Sequence, residues 1–177
     1  MKFLRLVVLL LLCLTLGGCA GAKPAPSPLQ LAPAFSVSAE ILCGNASMQA
    51  TLHKTQENTL KAAFTAPPAL TPLNVAFADG NCKVLYGTMQ VTAAPERLPQ
   101  TLAVALIADA WDAIAQGGQL TRTLTDGVWT IKGSGSRGAF VFTCDAKTGA
   151  PLELSIEHAG LHVTFRDYQP ENESANR

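Results

Sequence analysis

Charge is scarce and balanced in this chain: 15% of its 177 residues are charged, 13 basic against 13 acidic. A chain without a basic excess offers no face for nucleic acid. Histidine is scarcer still, with three in all. None stands near a cysteine in sequence where it would activate the thiol, and no serine occupies a nucleophile elbow. The sequence therefore predicts no enzyme and no cofactor. His158 and His162 have HxxxH spacing, which would align two ligands on a helix. Here they flank a predicted β-turn and fall on opposite faces, so no metal site is expected.

Long hydrophobic runs are also missing, except one at the start. Lys2 and Arg5 precede an apolar stretch from Leu6 to Leu16, followed by Gly17, Gly18 and Cys19. That is a charged region, a hydrophobic region and a small-residue cleavage site, well short of the roughly 20 residues that span a bilayer. Residues 1–18 read as an export signal. Its ending, Leu16-Gly17-Gly18-Cys19, resembles the bacterial lipobox, in which the cysteine is acylated and becomes the first mature residue. Two or three acyl chains on Cys19 would anchor the protein stably, where one would not. The expected location is therefore the outward face of a bacterial membrane, with the membrane itself as a partner. Removing Lys2 and Arg5 leaves 11 basic against 13 acidic residues. Residues 19–33 hold Pro24, Pro26, Pro28 and Pro33 among small residues, a composition that favours an extended tether able to reach roughly 40 Å. Residues 34–169 read as the folded domain and residues 170–177 as a flexible tail.

Cysteine is limited too. Cys13 leaves with the signal and Cys19 is acylated, so Cys43, Cys82 and Cys144 remain, enough for one disulfide at most. In an up-and-down meander Cys43 and Cys82 lie beside turns at opposite ends, beyond the bridging limit of about 7 Å. Cys144 could pair with either. Reduced thiols packed as small hydrophobes are the expected state.

What the chain has is alternation. Phe35, Val37, Ala39 and Ile41 repeat with period two, Gly44-Asn45 turns the chain, and Ile41, Ala39 and Val37 fall opposite Met48, Ala50 and Leu52. A single register that puts every apolar pair on one face predicts a hairpin. Leu60, Ala62 and Phe64 continue it. Pro67, Pro68 and Pro72 then break the pattern and expose Leu70. Leu73, Val75 and Phe77 pair back through Asp79-Gly80 with Cys82, Val84 and Tyr86, and strand-like residues persist to Val91. Later, Trp129 and Ile131 are followed by Phe140, Phe142 and Cys144, then a turn at Asp145 to Gly149. Leu152, Leu154 and Ile156 close the chain by returning through a tight Ala159-Gly160 turn to Leu161, Val163 and Phe165. That turn sets Ile156 opposite Val163, Leu154 opposite Phe165, Glu153 opposite Arg166 and Glu157 opposite His162. Between these strands, Gly133-Ser-Gly135-Ser-Arg-Gly138 fits G-x-G-x-x-G. A strand rather than a helix follows it, so it reads as a hairpin turn and not a dinucleotide site.

One stretch is helical, Leu98 to Gln116. Pro99 suits the first turn, Gly117 and Gly118 end the run, and Leu98 is a poor cap. Thr101, Ala105, Asp109, Asp112 and Gln116 form a narrow polar stripe, and Asp109 with Asp112 reads as a wetted face rather than an acid pair. Val104, Leu106, Ile107, Trp111 and Ile114 fill the other side, which must be covered. The predicted fold is mainly β with α: an incomplete antiparallel barrel, a curved up-and-down sheet with one long buried helix on its concave face. Trp111 is expected to be the helix's main anchor.

The ordered features resemble the LolA/LolB-like half-barrel superfamily of exported bacterial proteins, which includes GerS-like lipoproteins and the RseB-type sensor domain. The likeness spans Phe35 to Tyr168 and rests on the meander, the single buried helix, Val128-Trp-Thr-Ile-Lys-Gly133, Gly138-Ala-Phe-Val-Phe142, Asp145-x-x-Thr-Gly149-x-Pro151 and Val163-x-Phe165-x-Asp167-Tyr168. It implies an apolar concavity for a lipid or acyl group, lined by Val37, Ile41, Leu52, Phe64, Phe77, Trp111, Phe140, Phe142, Leu154 and Phe165. The other function it implies is a membrane-tethered interaction or sensor module with an envelope protein as partner. The anchor resembles that of LolB rather than the shuttle LolA, and Leu70 is then a counterpart to the apolar residue LolB presents on a protruding loop. A single helix implies a smaller lid than the carriers have.

Overall fold

The computed structural model describes residues 31–78, 81–94, 97 and 102–171. The lipobox with Cys19, Pro99 and the Asp79-Gly80 turn lie outside them. Strands β1 (Phe35–Cys43), β2 (Ala46–Lys54), β3 (Leu60–Ala66), β4 (Leu73–Ala78), β5 (Asn81–Tyr86) and β6 (Met89–Ala93) precede helix α1 (Ala103–Gln116). After it come β7 (Thr121–Thr125), β8 (Val128–Gly135), β9 (Gly138–Asp145), β10 (Pro151–Ile156) and β11 (Leu161–Pro170). All the strands belong to one antiparallel sheet in the order β6-β5-β4-β3-β2-β1-β11-β10-β9-β8-β7. Two meanders thus meet along β1 and β11, and among the described residues β6 and β7 are left as free edges. Among the described residues the sheet is an open half-barrel with one α-helix, as the sequence pattern predicted.

The first hairpin has the predicted register, Ile41 with Met48, Ala39 with Ala50 and Val37 with Leu52. Val75 pairs with Val84. The last hairpin does not follow its prediction. Leu154 pairs with Val163 and Ile156 with Leu161, while Glu153 faces Thr164 and Ser155 faces His162. The physical reason is the turn: Glu157–Ala159 form a 3-10 turn closed by Gly160 at φ 58°, which is longer than the tight turn assumed. Arg166 consequently pairs with Glu40 on the neighbouring β1, at 3.3 Å. A bulge between Pro151 and Glu153 also takes Leu152 out of the inward row, and Pro151 is buried in its place.

The helix is shorter than its pattern. Leu102 is extended, at φ −67° and ψ 107°, and caps α1 with no side-chain acceptor, so α1 begins at Ala103. Gly117 ends it in the left-handed conformation at φ 67°, where glycine carries no Cβ penalty. Nine of its residues are buried, Ala105 of the supposed polar stripe among them. Capping supplies almost nothing, so packing holds the helix. It lies against β8, and Trp111 stacks on Phe165 at 5.6 Å and meets Phe35 edge-on at 5.2 Å. Pro170, expected in the flexible tail, is the end of β11, and the Glu171 N–H donates to the Ala34 carbonyl at 2.9 Å.

Candidate functional site

The predicted apolar lining divides in two. Val37, Ile41, Leu52, Phe64, Phe140, Leu154 and Phe165 are packed core, because α1 fills most of the concavity and presses Val104, Leu106 and Ile107 into the sheet with no exposure. They belong to the packed core and are not among the residues lining the two cavities described next. Trp111 and Phe142 do reach a cavity of about 430 Å³ at one end of the half-barrel. Phe77 is only half-buried and, with Trp111, borders a neighbouring cavity of about 290 Å³.

The larger cavity has an apolar floor of Phe35, Trp111, Ile114, Phe142 and Pro151. Its rim is polar, from the β2–β3 turn (Lys54, Thr55, Gln56, Asn58) and Arg122 of β7. Leu31, Ala32 and Pro33 complete it, so the segment entering the domain passes directly along the mouth. Its volume falls within the roughly 300–1,000 Å³ typical of small-molecule sites.

Lys54 was not foreseen. It sits two residues beyond Leu52 on the same face of β2, so the alternation that buries Ala50 and Leu52 carries an ammonium group inward, and Lys54 is only 8% exposed. Its Nζ donates to Asn58 Oδ1, and Asn58 Nδ2 donates to Asp112 Oδ1 at 2.8 Å. Burial pulls the Lys54 pKa below the usual lysine value, and the charge of Asp112 acts in the opposite direction. The signal was present in the periodicity, but a lysine in an inward register is easily passed over.

The aspartates of the helix are not a wetted face. Asp109 accepts from the backbone N–H of Ser136 at 3.1 Å, from that of Arg137 at 2.9 Å and from the Ser136 hydroxyl. The glycine-rich turn between β8 and β9 does hold an anion, namely the carboxylate of its own helix. Gly135 makes this possible, since a Cβ there would come within 2.0 Å of Asp109 Oδ2. Asp112 is half-buried and tied through Asn58 to Lys54.

Leu70 does not protrude. It ends a 3-10 turn, Pro68–Leu70, and packs half-buried against the core at the rim. Cys43, Cys82 and Cys144 form no disulfide among the described residues. Burial, reinforced by the charge of Asp145, pushes Cys144 up to about 11. Among the described residues no group of His, Cys, Asp or Glu could hold a metal ion, and no helix is long and apolar enough to cross a membrane.

No protein-family model and no curated protein matches the chain. Solved structures similar to it include an uncharacterized conserved protein from Thermus thermophilus, with TM-score 0.49, 11% identity and coverage of 80% of each chain. Another is a LolA superfamily protein. It is NE2245 from Nitrosomonas europaea, with TM-score 0.44, 8% identity and coverage of 82% of this chain and 88% of that one. At such identities a reading of function rests on this chain's own residues.

Proposed function

We propose that this protein is an exported, membrane-anchored lipoprotein that binds a lipid or acyl chain at the mouth of its half-barrel, as a carrier or receptor and not as an enzyme. The observation that supports this is the cavity of about 430 Å³, floored by Phe35, Trp111, Ile114, Phe142 and Pro151. It has an apolar floor, is partly open, and is bounded by the segment that follows the proposed anchor. A tether leaving from the rim keeps that mouth within reach of the bilayer to which Cys19 would be attached. Native mass spectrometry of the purified full chain tests the binding. A co-purifying lipid, or uptake of added acyl ligand, is expected; a chain that carries none and takes up none refutes it. Metabolic labelling with a fatty acid tests the anchor. Wild type should be labelled and membrane-bound, and a Cys19→Ala variant that still carries label would remove the lipobox reading.

A second reading, a membrane-tethered interaction module, draws on the β6 edge. Met89 and Val91 are 65% and 61% exposed and stand beside Tyr86 on the outermost strand. Free edges of this kind accept further strands. Membrane cross-linking that recovers an envelope partner through Val91, with no lipid in the mass spectrum, would favour it.

A further inference from the structure

The larger cavity carries a charge pattern that an acyl chain alone does not use. Its lining includes two cations, Lys54 and Arg122, and no carboxylate among the described residues. Asp112 borders the neighbouring cavity instead, and Asn58 stands between it and Lys54, accepting from the ammonium and donating to the aspartate. Lys54 therefore reaches the cavity wall almost fully buried with an amide, not an anion, as its hydrogen-bonded partner. A buried cation without a directly bonded counter-charge is stabilised by any anion that can reach it. The floor below is hydrocarbon and aromatic, so the anion that fits best is the polar end of a molecule whose other end is apolar.

Building on the proposed function, we propose that the ligand is an anionic single-chain amphiphile, with a carboxylate or phosphate head held by Lys54 and Arg122 and its chain laid on Phe35, Trp111 and Phe142. The two cations come from different parts of the fold, Lys54 from the inner end of β2 and Arg122 from the exposed edge strand β7. Bridging them would give the head a defined position at the rim. Burial also explains why Lys54 holds its proton less firmly than a surface lysine, a cost that a bound head would offset.

The test uses the full chain in zwitterionic nanodiscs, titrated with laurate, lauryl phosphate and lauryl alcohol while tryptophan emission is followed against empty discs. At least one of the two anions should bind about tenfold or more tightly than the alcohol, and their ranking tells carboxylate from phosphate. Lys54→Met and Arg122→Gln should each weaken the anion about tenfold and leave the alcohol unchanged, with Lys54→Arg retaining most of the affinity; loss of one charged contact is a tenfold effect on this scale. Should Lys54→Met unfold by circular dichroism, Arg122→Gln decides alone, since Arg122 lies on a fully exposed strand. Equal binding of acid, phosphate and alcohol, unaltered by either substitution, overturns this inference and leaves the acyl-binding proposal standing. If none of the three binds, both fall.

Discussion

Replacing Gly135 with alanine should undo the junction between the helix and the sheet. The new Cβ would lie 2.0 Å from Asp109 Oδ2 and 2.7 Å from its Cγ, a contact relieved only if the Asp109 side chain swings away. The carboxylate must leave, and three hydrogen bonds from Ser136 and Arg137 leave with it. Bonds to a charged group contribute about 1.5–3 kcal/mol each when buried. Asp109 is only half-buried, so the whole set is discounted to about 2 kcal/mol. Asp109→Ala should cost a similar amount by the direct route. If both substitutions break one interaction, the double variant should also lose about 2 kcal/mol instead of about 4, a coupling of the size seen for residues in contact. Urea unfolding followed by far-ultraviolet circular dichroism on all four proteins measures this cycle. Additive penalties would refute the argument, because they would mean that Gly135 and Asp109 act through separate contacts.

Trp111→Ala should cost about 3–5 kcal/mol, since the indole is 4% exposed and packs on both Phe35 and Phe165; an unchanged urea midpoint would show that the helix is not anchored there. Asp112→Ala should now be felt beyond the ±0.5 kcal/mol or so of an ordinary surface change, because Asn58 loses its acceptor beside buried Lys54; indistinguishable unfolding curves would argue otherwise. Cys144 is held protonated in the fold up to about pH 11 against an ordinary thiol value of 9.0. The folded state thus binds the extra proton, and stability should be fully present below pH 9 and fall as pH rises toward 11. Cys144→Ala should flatten that decline, and an identical pH profile in the variant would contradict the assignment.

The legible parts of this fold were those where burial imposes a pattern. β1 and β2 announce themselves because every inward residue from Phe35 to Leu52 is apolar and a two-residue turn fixes the register. Strands β6 and β7 do not, because all of β7 and nearly all of β6 is exposed, and a strand with neither face covered leaves no period in the sequence. The final register slipped by two residues because a 3-10 turn ending in Gly160 looks, residue by residue, like a shorter one. The site divides the same way. Trp111 was readable from the helical arc, whereas Lys54 was concealed by its own chemistry. The seven packed residues of the expected lining became core because periodicity reports which face is inward but not how much of it α1 fills.

The pairing of β1 with β11 gives the molecule an order of assembly. Residues at the two ends of the domain, such as Ile41 with Val163 and Ala39 with Phe165, form the middle of the sheet, so the centre is completed last in synthesis and not first. Until β11 arrives, each meander has a bare inner edge and the helix has only half a surface to lie on. Contacts this distant in sequence carry a large loop-closure cost and form slowly. If the chain is exported as proposed, such a delay would keep the polypeptide threadable while it is moved, and it would become a rigid object only once its last strand is through.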